Sequence, residues 1–170
     1  MDLPLHVAVR DNDVAKVNEI LESNAVDINK EDENGISALI EACIAGNEEI
    51  VQILLEAGCP AQPAAGFKHS PIRGATVCGH AHLIPILLKH GADPNSLSDG
   101  NRSPLMGACF LRKGVAPEQS VLCVKELLKD DRTDPTVANS FGETALDLAK
   151  IRGYKESQLL IEEALNAKRS

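Results

Sequence analysis

The sequence predicts an all-α repeat solenoid, a row of short helix pairs in which each pair packs only on its neighbours. One motif recurs five times along the 170 residues: an aliphatic residue follows a helix start, and Ala comes three residues later. The spacings between successive copies are 34, 33, 33 and 41 residues, with aliphatic anchors at Leu5, Leu39, Ile72, Leu105 and Leu146. A second apolar segment with helical spacing follows most copies. A near-constant period of this length indicates stacked units rather than one globular core.

The first helix of each pair has clear start and stop signals. Hydroxyl side chains before the motif can accept a hydrogen bond from a free N–H of the first turn. These predicted N-caps are Ser37, Ser70, Ser103 and Thr144. Pro71 and Pro104 follow two of them, at the first helical position, where the missing N–H costs nothing. We expect these helices to end near Gly46, Gly79 and Gly153, since glycine adopts the left-handed conformation that closes a helix.

The second helix of each pair should be amphipathic with an aliphatic face. Ile50, Val51, Leu54 and Leu55 have the spacing of one helix face, and 83–88 repeats the pattern. The chain holds three Phe, one Tyr and no Trp, so the core must be built from Leu, Ile, Val and Ala.

The motif and its period resemble the ankyrin repeat. The resemblance covers nearly the whole chain as one domain, 1–170, divided into repeats at about 1–31, 32–64, 65–97, 98–138 and 139–170. The fourth repeat is too long, with an insertion at 111–120. The resemblance implies hairpin-like fingers between helix pairs, and backbone hydrogen bonds between repeats from His6 and His80. It also implies a module that binds another protein.

The net charge of −8 is unevenly distributed. Residues 1–60 hold three basic and thirteen acidic residues, and the remainder has a small positive excess. An acidic end argues against nucleic acid and favours a basic partner, although it could equally serve the solubility of a terminal repeat. No segment approaches the roughly 20 apolar residues of a membrane span. No signal peptide is visible and the five Cys show no paired spacing, so we expect an intracellular protein, in the cytoplasm, the nucleus or both. We also expect a monomer.

No motif for chemistry stands out. The chain lacks a GxxxxGK phosphate loop, a GxGxxG motif and an order of residues that suggests a nucleophilic triad. His80 and His82 lack the further ligands of a metal site, and Cys43 and Cys109 occupy a core position of the motif. We therefore expect no enzyme activity, no cofactor and no metal.

The resemblance places partner binding on the concave face, which the finger tips and first helices form. The two residues before the inter-helix Gly should lie there, and the middle repeats have apolar residues at these positions. An exposed apolar stripe of this kind marks an interaction site. Its predicted members are Ile44, Val77, Cys78, Phe110 and Leu111. Alternatively, the repeat-four insertion folds over Phe110 and Leu111 and buries them. Finger tips add Phe67 and Phe141, and the negative end is supplied by Asp32, Glu33 and Glu41.

Gly74 and Gly107 occupy the same position inside two successive first helices. Glycine in a helix interior lowers stability by about 0.5–1 kcal/mol relative to alanine, so its presence at both positions needs an explanation. One hypothesis is a shallow trough on the inner face beside Glu41. The other is close approach of neighbouring helices.

The predicted function is a non-catalytic module that binds a protein or peptide with apolar anchors and a basic end, as an adaptor, inhibitor or scaffold. One alternative is a carrier for a basic protein through the acidic first repeats, and another is a repeat fragment of a longer protein. A small enzyme is the alternative from a different class, and the absent motifs count against it.

Overall fold

The computed structural model describes residues 3–63 and 68–168. Within these residues the chain is helical, with isolated β-bridges and no strand, which confirms the all-α repeat solenoid. Consecutive helices pack in pairs. The helices are α1 Pro4–Arg10, α2 Val14–Ser23, α3 Ala38–Ala45, α4 Glu48–Glu56, α5 Pro71–Val77, α6 Leu83–Lys89, α7 Pro104–Cys109, α8 Glu118–Leu128, α9 Ala145–Arg152 and α10 Lys155–Ala167.

The first helices α1, α3, α5, α7 and α9 pack on one another in a continuous row. The second helices α2, α4, α6, α8 and α10 contact their neighbours less closely. The core lies between the two rows, and it is aliphatic as predicted. Four of the motif anchors are almost completely buried: Leu5, Leu39, Ile72 and Leu105. None of the described helices combines the length and the apolar character needed to cross a membrane.

The predicted helix starts are confirmed. Ser37, Ser70 and Ser103 each accept a hydrogen bond from the backbone N–H three residues later. Thr144 does the same and forms a reciprocal capping box with Asp147. The backbone N–H and the hydroxyl of Thr144 both donate to the Asp147 carboxylate and lower its pKa.

Two histidines join successive helix pairs, as the resemblance implied. The His6 imidazole lies 2.8 Å from the Ile36 carbonyl oxygen through Nε2, and His80 Nε2 lies 3.0 Å from that of Ile44. Gly46 ends α3 with φ of 78°, and a Cβ there would collide with the His80 ring. Gly46 is therefore required both for its left-handed backbone and for the close approach of His80.

His80 makes stability depend on pH. Burial lowers the pKa of His80, with His82 adding to this and the bond to the Ile44 carbonyl opposing it. Because the folded-state pKa lies below the unfolded value of about 6.5, this stabilisation is complete above that pH and is lost as pH falls through the folded-state pKa. We expect His80→Gln to flatten the fall in unfolding free energy between about pH 7 and about pH 5. Urea unfolding of the wild type and the variant at each pH measures the slope, and equal slopes for the two proteins would contradict the role of His80.

Turns between the helix pairs form the fingers. Isolated antiparallel bridges join Glu31 to Ser37, Ser98 to Arg102 and Ala138 to Thr144. Successive fingers are also linked to each other, since the Asp99 N–H donates to the Lys68 carbonyl and the Ser140 N–H donates to that of Gly100. The fingers thus form a connected edge beside the row of first helices.

Candidate functional site

The surface formed by the C-terminal ends of α3, α5, α7 and α9 and by the connection 110–117 is called the first-helix face. Four equivalent positions in successive first-helix segments carry large apolar side chains here. Ile44 and Val77 are half-buried, whereas Phe110 is 51% exposed and Ile151 is 66% exposed. The face therefore has accessible apolar area at the predicted register, including Ile151, which extends it beyond the predicted members.

Two predicted members of the stripe are not accessible. Cys78 is 8% exposed and Leu111 is 2% exposed, so the prediction that they lie open on the surface is wrong. The connection 110–117 turns back onto α5, where the Arg112 N–H donates to the Val77 carbonyl over 2.8 Å. The Arg112 guanidinium also reaches the Cys78 thiol, with Nη1 3.8 Å from Sγ. The alternative that the insertion covers this region holds for Leu111 and fails for Phe110.

Phe110 is held in place although half of it is exposed. The guanidinium carbon of Arg152 lies 4.4 Å from the centre of the Phe110 ring, a cation–π contact. Arg152 also donates through Nη2 to the Leu111 carbonyl over 3.1 Å, which fixes the guanidinium over the ring. These two contacts place the Arg152 guanidinium against one face of the Phe110 ring.

Of the two aromatic residues predicted at finger tips, the structure describes Phe141. Phe141 is 87% exposed, and its backbone N–H donates to the Asn139 side-chain oxygen. Phe67 lies outside the described residues.

One of the three acidic residues in the predicted negative end, Asp32, stabilises the fold of its own finger. The Asp32 carboxylate accepts hydrogen bonds from the N–H groups of Asn34 and Ile36, at 2.8 and 2.9 Å. Partial burial acts to raise the pKa of Asp32, but these hydrogen bonds outweigh it and lower the pKa. Asp32 therefore holds the finger turn, while Glu33 is exposed and Glu41 is half-buried.

A groove of about 200 Å³ lies between α3 and α5 on this face, and we call it the arginine groove. Its lining includes the aliphatic residues Ile40, Ile44 and Val77, together with Gly74 and the basic residues His69, Arg73 and Arg112. Within the described part of the chain, neither arginine forms an ion pair with a carboxylate inside 4.0 Å. Arg73 Nε is buried without a hydrogen-bond partner. Burial lowers the pKa of Arg73 to about 10, with Arg102 adding to the effect and Asp99 opposing it.

The two helix glycines have different roles. A Cβ on Gly107 would lie 2.5 Å from Thr76 Oγ1, so this glycine permits close approach of α5 and α7 and opens no trough. A Cβ on Gly74 would have Ile44 Cγ1 as its nearest neighbour at 3.4 Å, and Gly74 lines the arginine groove. The predicted trough is thus wrong at Gly107. At Gly74 the groove lies beside Ile40 and Ile44 rather than Glu41.

Sequence analysis missed both arginines of the groove. Arg73 directly precedes Gly74 in a first helix, and that adjacency was the available signal. Arg112 lies in a connection without periodicity, so its approach to α5 had no counterpart in the sequence pattern.

A family model described as ankyrin repeats, in three copies, matches residues 5–98. A segment of 60 residues is also 48% identical to human transient receptor potential cation channel subfamily A member 1. This match covers 34% of the chain and 5% of that protein, so the chain spans only a small part of the length of this relative.

Proposed function

The chain belongs to the ankyrin repeat family, and from this premise we propose that it binds a partner protein through its first-helix face. Ankyrin repeats are a non-catalytic fold that generally mediates protein–protein interaction. The observation that carries the proposal is the accessible apolar series Ile44, Val77, Phe110 and Ile151 at one register of successive repeats.

The physical argument concerns anchoring. Large apolar side chains at the centre of a contact supply most of the binding free energy, provided that water is excluded around them. Phe110 is constrained by Arg152 before any partner arrives, which lowers the entropy cost of binding. Phe141 on a finger tip is a further exposed aromatic anchor. An adaptor, inhibitor or scaffold role follows from binding of this kind.

The alternative role as a carrier for a basic protein has less support than partner binding through the first-helix face. It relies on the acidic first repeats, and the Asp32 carboxylate is already occupied by two backbone N–H groups of its own finger. The similarity to a channel protein concerns 5% of that protein, and no channel activity is proposed from it.

A paired capture experiment tests the proposal. The wild type and the Val77→Glu/Phe110→Glu variant are used as baits in source-cell lysate, and mass spectrometry identifies bound proteins. We expect a partner that the variant loses, with affinity reduced at least about tenfold, because two buried charges would replace apolar anchors.

A matched control separates the face from a general effect of added charge. Leu122 and Leu159 are exposed residues of the second helices α8 and α10, so Leu122→Glu/Leu159→Glu should retain the partner. Circular dichroism confirms that both variants are folded. Equal recovery by all three baits would exclude the first-helix face as the binding site.

A further inference from the structure

We infer that the arginine groove receives an acidic peptide segment of the partner, with carboxylates paired to Arg73 and Arg112 and an aliphatic side chain against Ile40, Ile44 and Val77. This inference rests on the proposed function, and it specifies the chemistry of the partner at one part of the face.

Unpaired positive charge is the first argument. Two arginines line a groove of about 200 Å³, and no described carboxylate lies within 4.0 Å of the side-chain nitrogens of either. Arg73 Nε is removed from solvent and has no acceptor. Arg102 and Asp99 exert opposite effects on Arg73, so they do not supply a net counter-charge. A carboxylate would satisfy the guanidinium with paired, charge-assisted hydrogen bonds.

The size of the groove is the second argument. A volume of about 200 Å³ is below the range of about 300–1,000 Å³ that is usual for small-molecule pockets. It therefore suits one or two side chains of a longer ligand. Ile40, Ile44 and Val77 supply apolar walls for an aliphatic side chain, and Gly74 keeps the space open.

The position of Arg112 is the third argument. The connection 110–117 brings Arg112 from the fourth helix pair to the end of α5 in the third, where a backbone hydrogen bond to Val77 holds it. The longer connection thus places a second cation beside the groove between the second and third pairs. Without Arg112, the basic residues of the groove lining would be Arg73 and His69.

The overall charge of −8 opposes an acidic ligand at long range. Salt at physiological strength reduces such effects beyond about 8 Å. The charges in direct contact with the ligand then determine the electrostatic contribution to binding, and in the groove these belong to Arg73 and Arg112. The groove lies at the boundary between the acidic segment 1–60, which contains α3, and the slightly basic segment 61–170, which contains α5. The preference for acidic side chains therefore has to come from direct contact with Arg73 and Arg112 rather than from the charge of either segment.

The test is selection from a display library of random short peptides on four immobilised baits. They are the wild type, Arg73→Gln/Arg112→Gln, the charge-matched control Lys89→Gln/Lys129→Gln, and Val77→Glu. Lys89 and Lys129 are exposed at the ends of second helices, away from the first-helix face. Thermal unfolding confirms that each bait is folded.

We expect the wild type and the lysine control to enrich peptides that combine Asp or Glu with Leu, Ile or Val. The arginine variant should lose the acidic enrichment. A selected peptide, resynthesised with Gln for its acidic residues, should bind the wild type at least about tenfold more weakly and the arginine variant with little change.

The alternative outcomes separate the inference from the proposed function. Peptides that Val77→Glu loses but that lack acidic residues would overturn the inference and leave the proposed face standing. If the arginine variant retained the acidic enrichment, the inference would also be overturned and the proposed face would again stand. A wild type that enriches no peptide would also overturn the inference, while the capture experiment tests the proposed function independently. Peptides retained in full by Val77→Glu would count against the face itself.

Discussion

Replacing Leu111 by alanine is expected to lower the free energy of unfolding by about 2–5 kcal/mol, the range for a buried leucine that leaves a cavity. Leu111 is 2% exposed and anchors the connection 110–117. The neighbouring Phe110 is 51% exposed, so Phe110→Ala should cost about 1 kcal/mol or less, chiefly the contact with Arg152. Urea unfolding of the two variants and the wild type measures the difference.

Leu111→Met provides the matched control, because a volume-conserving substitution in a core usually costs less than about 1.5 kcal/mol. For partner binding we expect the opposite order, with the larger loss for Phe110→Ala. This truncation removes an anchor of the first-helix face without loosening the connection. A stability loss for Leu111→Ala as small as the loss expected for Phe110→Ala would show that the connection is not anchored through Leu111.

The helices were predictable because their signals are local. An N-cap hydroxyl, a proline at the first helical position and a glycine at the helix end each satisfy backbone groups within one turn. Ser70 and Pro71 are an example: the Ser70 side chain accepts the Arg73 N–H, and Pro71 begins α5. The burial of the motif anchors was predictable for a related reason, since a fixed period places equivalent residues against equivalent neighbours.

The accessibility of the candidate site was less predictable because it depends on a non-periodic segment. In repeats with short connections, the residue next to the inter-helix glycine is exposed, as at Ala45 and Arg152. The equivalent residues Cys78 and Leu111 are buried where the connection 110–117 lies. Repeat register alone assigns the same environment to all four. Only the path of the connection distinguishes them.

The acidic partner segment that we infer could not have been predicted from the sequence. A sum over residues 1–60 counts Asp32 as available, although backbone N–H groups occupy its carboxylate. The same sum gives no weight to Arg73 and Arg112, which lie near each other only because α5 and the connection meet. Net charge describes long-range attraction, whereas recognition depends on which charges are unpaired at the contact.

Gly107→Ala is expected to lower the free energy of unfolding by about 1–3 kcal/mol, the usual cost of overpacking a core. The new methyl group would lie 2.5 Å from Thr76 Oγ1 and 3.1 Å from Val77 Cγ1. Thr76 is completely buried and its hydroxyl donates to the Arg73 carbonyl, so the side chain has little freedom to move away. The better helix propensity of alanine offsets only about 1 kcal/mol of this cost.

Gly74→Ala is the matched comparison at the equivalent position of the preceding repeat. Its nearest neighbour would be at 3.4 Å, an ordinary contact, so we expect a gain of about 0.4–1 kcal/mol from the reduced freedom of the unfolded chain. Urea unfolding of both variants gives the signs, and affinity for a selected acidic peptide gives the second readout. Gly74→Ala should weaken that affinity because the methyl group enters the arginine groove, although the protein becomes more stable. A stabilised Gly107→Ala would contradict close approach of α5 and α7, and full peptide affinity in Gly74→Ala would place the ligand away from this wall of the groove.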